Sequence, residues 1–128
     1  MTDAVVLDAA AWVDLLLGEA LSKRVADRLE GYSLHAPAHI DLELLSAFGR
    51  IERSGALAPA EVDARLREAR DFPIRRHDLA DLADGAWRRR ASLWISDALY
   101  VELAVHLDVA LITTDHRLAR ATPQAEVV

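Results

Sequence analysis

Short apolar runs and longer stretches with apolar residues every three or four positions succeed one another along the chain. Val5-Val6-Leu7 is too short for a helix and ends in Asp8, so it predicts a buried strand. Ala10 to Leu17 reads as a helix stopped by Gly18. Glu19 to Glu30 reads as a second, with Leu21, Val25 and Leu29 at a spacing of four and Gly31 behind them. Ser33-Leu34-His35-Ala36 predicts a brief second strand, and Pro37 suits the first turn of a helix running to Ser54. A new start at Pro59 leads into a mostly charged segment, Glu61 to Asp71. Phe72-Pro73-Ile74-Arg75 predicts a short edge strand, because proline interrupts its ladder. Asp78 to Ala91 reads as helix, and so does Ser96 to Leu107, with Ser96 as N-cap. Val109 to Ile112 is a late strand running into Thr113-Thr114-Asp115, and Glu126-Val127-Val128 is a candidate closing strand.

Strands separated by helices throughout predict an α/β fold with a central, mainly parallel sheet flanked by helices in three layers. A length of 128 residues suits a single domain over 1–128, built on one core. With 52% hydrophobic residues the chain has enough apolar surface to fold. The absence of cysteine excludes a disulfide scaffold, a zinc ribbon and a thiol nucleophile, and agrees with a reducing compartment. No apolar run approaches the roughly 20 residues that span a bilayer. The N-terminus also lacks the basic stretch and apolar run of a signal peptide, so the expectation is a soluble, cytoplasmic protein.

The formal net charge of −6 at first argues against a nucleic-acid partner. The distribution changes that picture. Lys23 is the sole lysine among 15 basic residues, and Arg75-Arg76 and Arg88-Arg89-Arg90 form local clusters. Net acidity with concentrated arginine suits an enzyme that gathers carboxylates around a metal and grips phosphate beside them. It suits equally a solvated helix face bearing Arg88 to Arg90.

In a parallel α/β sheet, sites collect beyond the carboxyl ends of the strands. Asp8 and Asp115 fall there, each directly after an apolar run. Asp97 shares a helical stripe with Tyr100, Val101, Ala104 and Leu107, whereas Glu102 points the opposite way and reads as solvated. Converging carboxylates repel, and a hard divalent cation such as Mg²⁺ resolves the repulsion while keeping waters for substrate. Such an ion activates water and stabilises the charge that develops in phosphodiester cleavage. Periodicity alone does not separate Glu43 from Asp41, which flank the stripe of Ile40, Leu44, Ala47, Phe48 and Ile51 at similar angles. Leu42, Leu45 and Gly49 make a second apolar face on that helix, a surplus expected to pack against another chain.

These residues, taken in order, resemble the PIN-domain ribonucleases. Val5-Val6-Leu7-Asp8-Ala9 resembles that family's first strand and first acid. Pro37-Ala38-His39-Ile40-Asp41-Leu42-Glu43 resembles the helix bearing the second acid, which selects Glu43. Trp87-Arg88-Arg89-Arg90 followed by Ser96-Asp97-Ala98-Leu99-Tyr100-Val101 resembles the third motif, with Asp97 as its acid. Leu111-Ile112-Thr113-Thr114-Asp115 and Arg117-Leu118-Ala119 resemble the fourth. Each motif alone is weak, but the four keep order and spacing over nearly the whole chain. The resemblance implies a PIN-like sandwich with Mg²⁺ (or Mn²⁺) in an acidic pocket and hydrolysis of RNA. Asp8, Glu43, Asp97 and Asp115 would be the catalytic acids, Asp8 and Asp97 the metal ligands, and Thr113 a supporting hydroxyl. Stand-alone chains of this length are most similar to VapC toxins of bacterial VapBC toxin–antitoxin pairs, which implies a homodimer inhibited by a cognate VapB-like antitoxin. An arginine inserted among the four acids is the device expected of that antitoxin. One departure is Ala10, where the family often carries a serine or threonine two residues after the first acid.

The remaining polar residues have plainer readings. His35, His39, His77, His106 and His116 show no metal-ligand pairing and read as surface or core residues, although His116 adjoins Asp115. Asp78, Asp81 and Asp84 read as a solvated face, and Asp14 as exposed rather than as support for the pocket. Trp12, Trp87 and Trp94 read as core or interface residues rather than base-stacking platforms. Two other functions compete. A phosphoacceptor receiver needs a lysine near a late strand, and Lys23 lies in an early helix. A catalytically weak PIN domain serving as a binding module has Ala10 in its favour and four intact acids against it.

Overall fold

The computed structural model describes residues 3–128. The apolar run at the start forms β1 (Ala4–Leu7), and Asp8 caps the helix that follows, α1 (Ala9–Leu17), by accepting from the Ala11 amide at 2.9 Å. Gly18 ends α1 in the left-handed conformation, at φ 70°, which glycine adopts without strain. Then come α2 (Ala20–Leu29), β2 (Ser33–Pro37), α3 (Ile40–Ser54), α4 (Pro59–Arg70) and β3 (Ile74–His77). After a 3-10 turn at Leu79–Asp81 the chain forms α5 (Ala83–Arg88), α6 (Ile95–Leu107), β4 (Leu111–Thr113), α7 (His116–Ala121) and β5 (Ala125–Val127).

The five strands make one all-parallel sheet in the order β3-β2-β1-β4-β5. From β1 the chain steps outward twice in one direction, then crosses back over β1 to β4. Right-handed crossovers therefore place the helices of the two halves on opposite faces. In the first half, α1 packs against α2, α3 and α4. On the other side α6 packs across β1, β2 and β4 and carries α5 on its back. The result is the expected three-layer sandwich. The direction reverses between β1 and β4, which makes the carboxyl ends of those strands the crevice of the fold.

Three local expectations are corrected. Pro37 does not open the helix; it is the last residue of β2, paired with His77, where a missing N–H costs no ladder bond. The segment Asp78 to Ala91 is not one helix. Gly85 and three aspartates lower its propensity, and it breaks into the 3-10 turn and the six-residue α5. Ser96 is not an N-cap: Trp94 holds that position, and Ser96 lies within the first turn of α6.

Candidate active site

Asp8, Glu43, Asp97 and Asp115 come from four separate parts of the chain and line a single cavity of about 360 Å³ at the β1–β4 crevice. Asp8 is the deepest. Its amide donates to the Ile112 carbonyl at 3.2 Å, continuing the β1–β4 ladder by one residue and fixing the side chain at the strand end. Burial pushes its carboxyl up to about 7, and Asp115 and Asp97 add to the rise. Hydrogen bonds from the Thr113 hydroxyl and the Ala11 amide pull the other way without cancelling it. Thr113, fully buried, also accepts from the Asp115 amide at 2.9 Å, so one hydroxyl contacts the surroundings of two acids.

Glu43 is fixed differently. The Ser96 hydroxyl donates to its Oε2 and the Tyr100 hydroxyl to its Oε1 at 2.6 Å, tying α3 to α6 across the crevice. Burial and the adjoining Glu43 carboxylate raise the Tyr100 phenol far above its ordinary value, so it remains a donor at any working pH. His39 completes the cluster: its Nε2 lies 3.1 Å from both the carbonyl and the hydroxyl oxygen of Ser96. Asp41, the alternative that periodicity left open, turns away and pairs with Arg76 through two bonds of 3.0 and 2.8 Å.

Asp97 and Asp115 share one cation. Arg117 Nη2 donates to Asp97 at 3.1 Å and to Asp115 at 3.0 Å, while Asp115 caps α7 by accepting from the Arg117 amide. A side chain two residues after the last acid thus already places a positive charge at the mouth of the pocket. Ala10 lines the same cavity with a methyl group and no hydroxyl.

Several participants escaped the sequence reading. Asp14, expected to be merely exposed, lines the cavity and accepts from the Thr114 hydroxyl at 2.6 Å. Its position two turns along α1 from Asp8 was the available signal. Arg50 also lines the cavity, one helical turn beyond Ala47 and two beyond Glu43. Glu102, expected in solvent, is buried. It pairs with Arg89 at 2.8 Å and with His106 at 3.1 Å and lies under α5, where Gly85 has no side chain to obstruct it. Neither tryptophan near the arginine run belongs to the core: Trp87 is 59% exposed and Trp94 75%, whereas Trp12 is fully buried.

An all-parallel sheet with four carboxylates at its switch point defines a class, and sequence comparison names it. The chain belongs to the PIN domain family, whose model matches residues 5–122. It is 51% identical over 127 residues to the protein named Ribonuclease VapC3 of Mycobacterium tuberculosis, covering 98% of this chain and 93% of that one. Among solved structures, PAE2754 from Pyrobaculum aerophilum superposes with a TM-score of 0.72 at 22% identity, over 100% of this chain and 92% of that one. A toxin–antitoxin complex from Klebsiella pneumoniae superposes with a TM-score of 0.65 at 15% identity, over 97% of each chain. At those identities the two structures establish the fold.

Proposed function

We propose that this chain is a metal-dependent endoribonuclease, the toxin component of a type II toxin–antitoxin system, acting as a single domain over 1–128. The observation that carries the reading is the pocket itself. Five carboxylates line it, the four acids and Asp14, and the deepest, Asp8, is buried beside two others with its carboxyl raised to about 7. Such an arrangement costs free energy unless a cation relieves it. Oxygen donors of this kind suit Mg²⁺ or Mn²⁺. Among the described residues no three or more of these side chains close into a cage by themselves.

Asp8 and Asp97 would hold the ion. Glu43, its oxygens fixed by Ser96 and Tyr100, would orient the attacking water, with Asp115 opposite and Thr113 steadying Asp8 and the Asp115 backbone. A bound divalent ion supplies activation of that water and stabilisation of the developing charge. The substrate would be RNA, in keeping with the name of the Mycobacterium tuberculosis relative. The partner would be a cognate VapB-like antitoxin. Arg117, already seated between Asp97 and Asp115, supports inhibition by an inserted guanidinium, since the mouth of the pocket accepts one. The exposed Leu42 and Leu45 on α3 favour a contact with a second copy or with the antitoxin. The compartment this reading assigns is the cytoplasm; no helix among the described residues is long and apolar enough to cross a membrane. Ala10 favours a second reading, a catalytically weak binding module.

The test is cleavage of labelled RNA by the purified chain with Mg²⁺ or Mn²⁺ and with EDTA. Metal-dependent cleavage, silenced by EDTA and by the product of a neighbouring antitoxin gene, is the expected result. RNA that binds but stays intact under every metal condition would transfer the conclusion to the binding module.

A further inference from the structure

Beside the acid pocket lies a shallow groove of about 230 Å³, lined by Arg90, Ala91, Ser92, Leu93, Trp94 and Arg117. Arg117 lines the groove, and its Nη2 reaches Asp97 and Asp115, two of the acids that line the pocket. The groove therefore begins one side chain away from the carboxylates. Trp94 is the most exposed large apolar residue among the described ones. It holds the N-cap position of α6, yet its side chain makes no capping bond. No local structural duty accounts for an indole there. Arg90 is held ready: its Nη1 donates to the Trp87 carbonyl at 2.9 Å, and its guanidinium lies 4.5 Å from the centre of the Trp87 ring. An anchored arginine loses less rotamer freedom on gripping a ligand than a free one.

We propose that this groove is a subsite for an unpaired RNA strand, holding the nucleotide next to the phosphate that enters the acid pocket. The base stacks on Trp94, and Arg90 and Arg117 bind the adjoining phosphate. The inference rests on the ribonuclease reading and extends it to a substrate class and a path. Charge favours it, because a chain of net charge −6 with five acids in its pocket needs local cations to hold a polyanion there. Size favours it too: the groove is smaller than the roughly 300–1,000 Å³ that enclose a drug-sized ligand, and suits one unit of a longer strand. Stacking is tolerant of base identity, because every base offers a π-face. A protein lying over Trp94 would also desolvate two guanidinium groups that a phosphate satisfies directly.

Fluorescence anisotropy of a short labelled single-stranded RNA, titrated with the full chain in EDTA over a range of salt, tests this. Trp94→Ala should weaken binding about 5- to 150-fold with an unchanged salt slope, and Trp94→Phe should recover most of the loss. Arg90→Ala should weaken binding and reduce the salt slope by about 1. An abasic strand of equal length should bind the wild type and Trp94→Ala alike. Unchanged affinity in both variants, from a wild type that still cleaves RNA with metal, overturns the groove and leaves the nuclease reading standing. A wild type that neither binds nor cleaves RNA overturns both. Loss of self-association in Trp94→Ala at constant RNA affinity assigns the indole to a protein contact and overturns the subsite.

Discussion

Asp8 closes the central strand and Glu102 lies midway along the buried helix α6, and water is largely excluded from both carboxylates. Their surroundings differ in one respect. Around Glu102, Arg89 and His106 supply positive partners, so although burial alone would raise its carboxyl, the net effect holds it below the ordinary range. Burial raises Asp8 to about 7, and the charges that act on it, Asp115 and Asp97, are of its own sign and add to the rise. One acid is neutralised by its own chain and pins α5 to α6. The other is left in want of a cation. Burial of a carboxylate therefore does not mark function; burial without a counter-charge does.

The sharpest way to break this comparison is through activity. Asp97→Asn and Glu43→Gln should each lower metal-dependent RNA cleavage by more than the roughly 10- to 100-fold typical of residues that only support a metal site. Glu102→Gln and Asp41→Asn should leave most of the rate, because Glu102 lies under α5 and Asp41 pairs with Arg76 away from the pocket. Steady-state cleavage rates beside circular-dichroism spectra decide it. Equal losses in Asp41→Asn and Glu43→Gln would remove the distinction drawn between them.

The next effect concerns pH in the absence of metal. A carboxyl raised to about 7 from its ordinary 3.8 stabilises the folded chain only while protonated, so that contribution is full below about 4 and fades as pH rises through 7. Asparagine carries no charge there and still caps α1. Asp8→Asn should therefore be more stable than the wild type in EDTA at pH 8, by at most a few kcal/mol, and melt higher, with the advantage shrinking toward pH 5. It should lose cleavage all the same. Glu102 has the opposite sign: its stabilisation is present above its ordinary value of 4.5 and is lost only as pH falls through its lower folded value. A lower melting temperature for Asp8→Asn at pH 8 would contradict the frustrated state assigned to that acid.

The smallest effect sharpens the structural half. Glu102→Gln should cost about 1–3 kcal/mol in urea unfolding, because Arg89 stays half-buried with a weaker partner. Gly85→Ala should cost a similar 1–3 kcal/mol through overpacking. A methyl group there would lie 2.1 Å from the Glu102 carboxylate, which Arg89 and His106 do not let swing aside. Wild-type stability in both variants would show that α5 rests on α6 without this cluster.

The same contrast explains what was legible in the sequence. Val5 to Leu7 and Leu111 to Ile112 are apolar because both faces of a parallel strand are covered, so the strands and the acids behind them stood out. Glu43 was not separable from Asp41 by periodicity, since the choice depends on Ser96 and Tyr100 across the crevice and on Arg76 from β3. Glu102 was misread for a related reason. Helix α6 is covered on nearly every side, and its angular pattern carries no information about which face meets solvent. For Trp94 the sequence left core and interface open, and its exposure removes the core, because hydrophobicity predicts burial only on average.

The strand order also governs when the pocket can exist. Ribosomes deliver a chain from its N-terminus, and domains fold in that order as they emerge. Here β1 is central, yet the neighbour on one side, β4, begins only at Leu111. Until then β1 presents an open edge with its backbone groups unpaired, and Asp8 stands at the end of a strand with nothing alongside. Asp115 and Arg117 arrive later still. A product interrupted before Leu111 therefore keeps Asp8 but lacks β4, Thr113, Asp115 and Arg117 at once, so its acids are never gathered into the pocket.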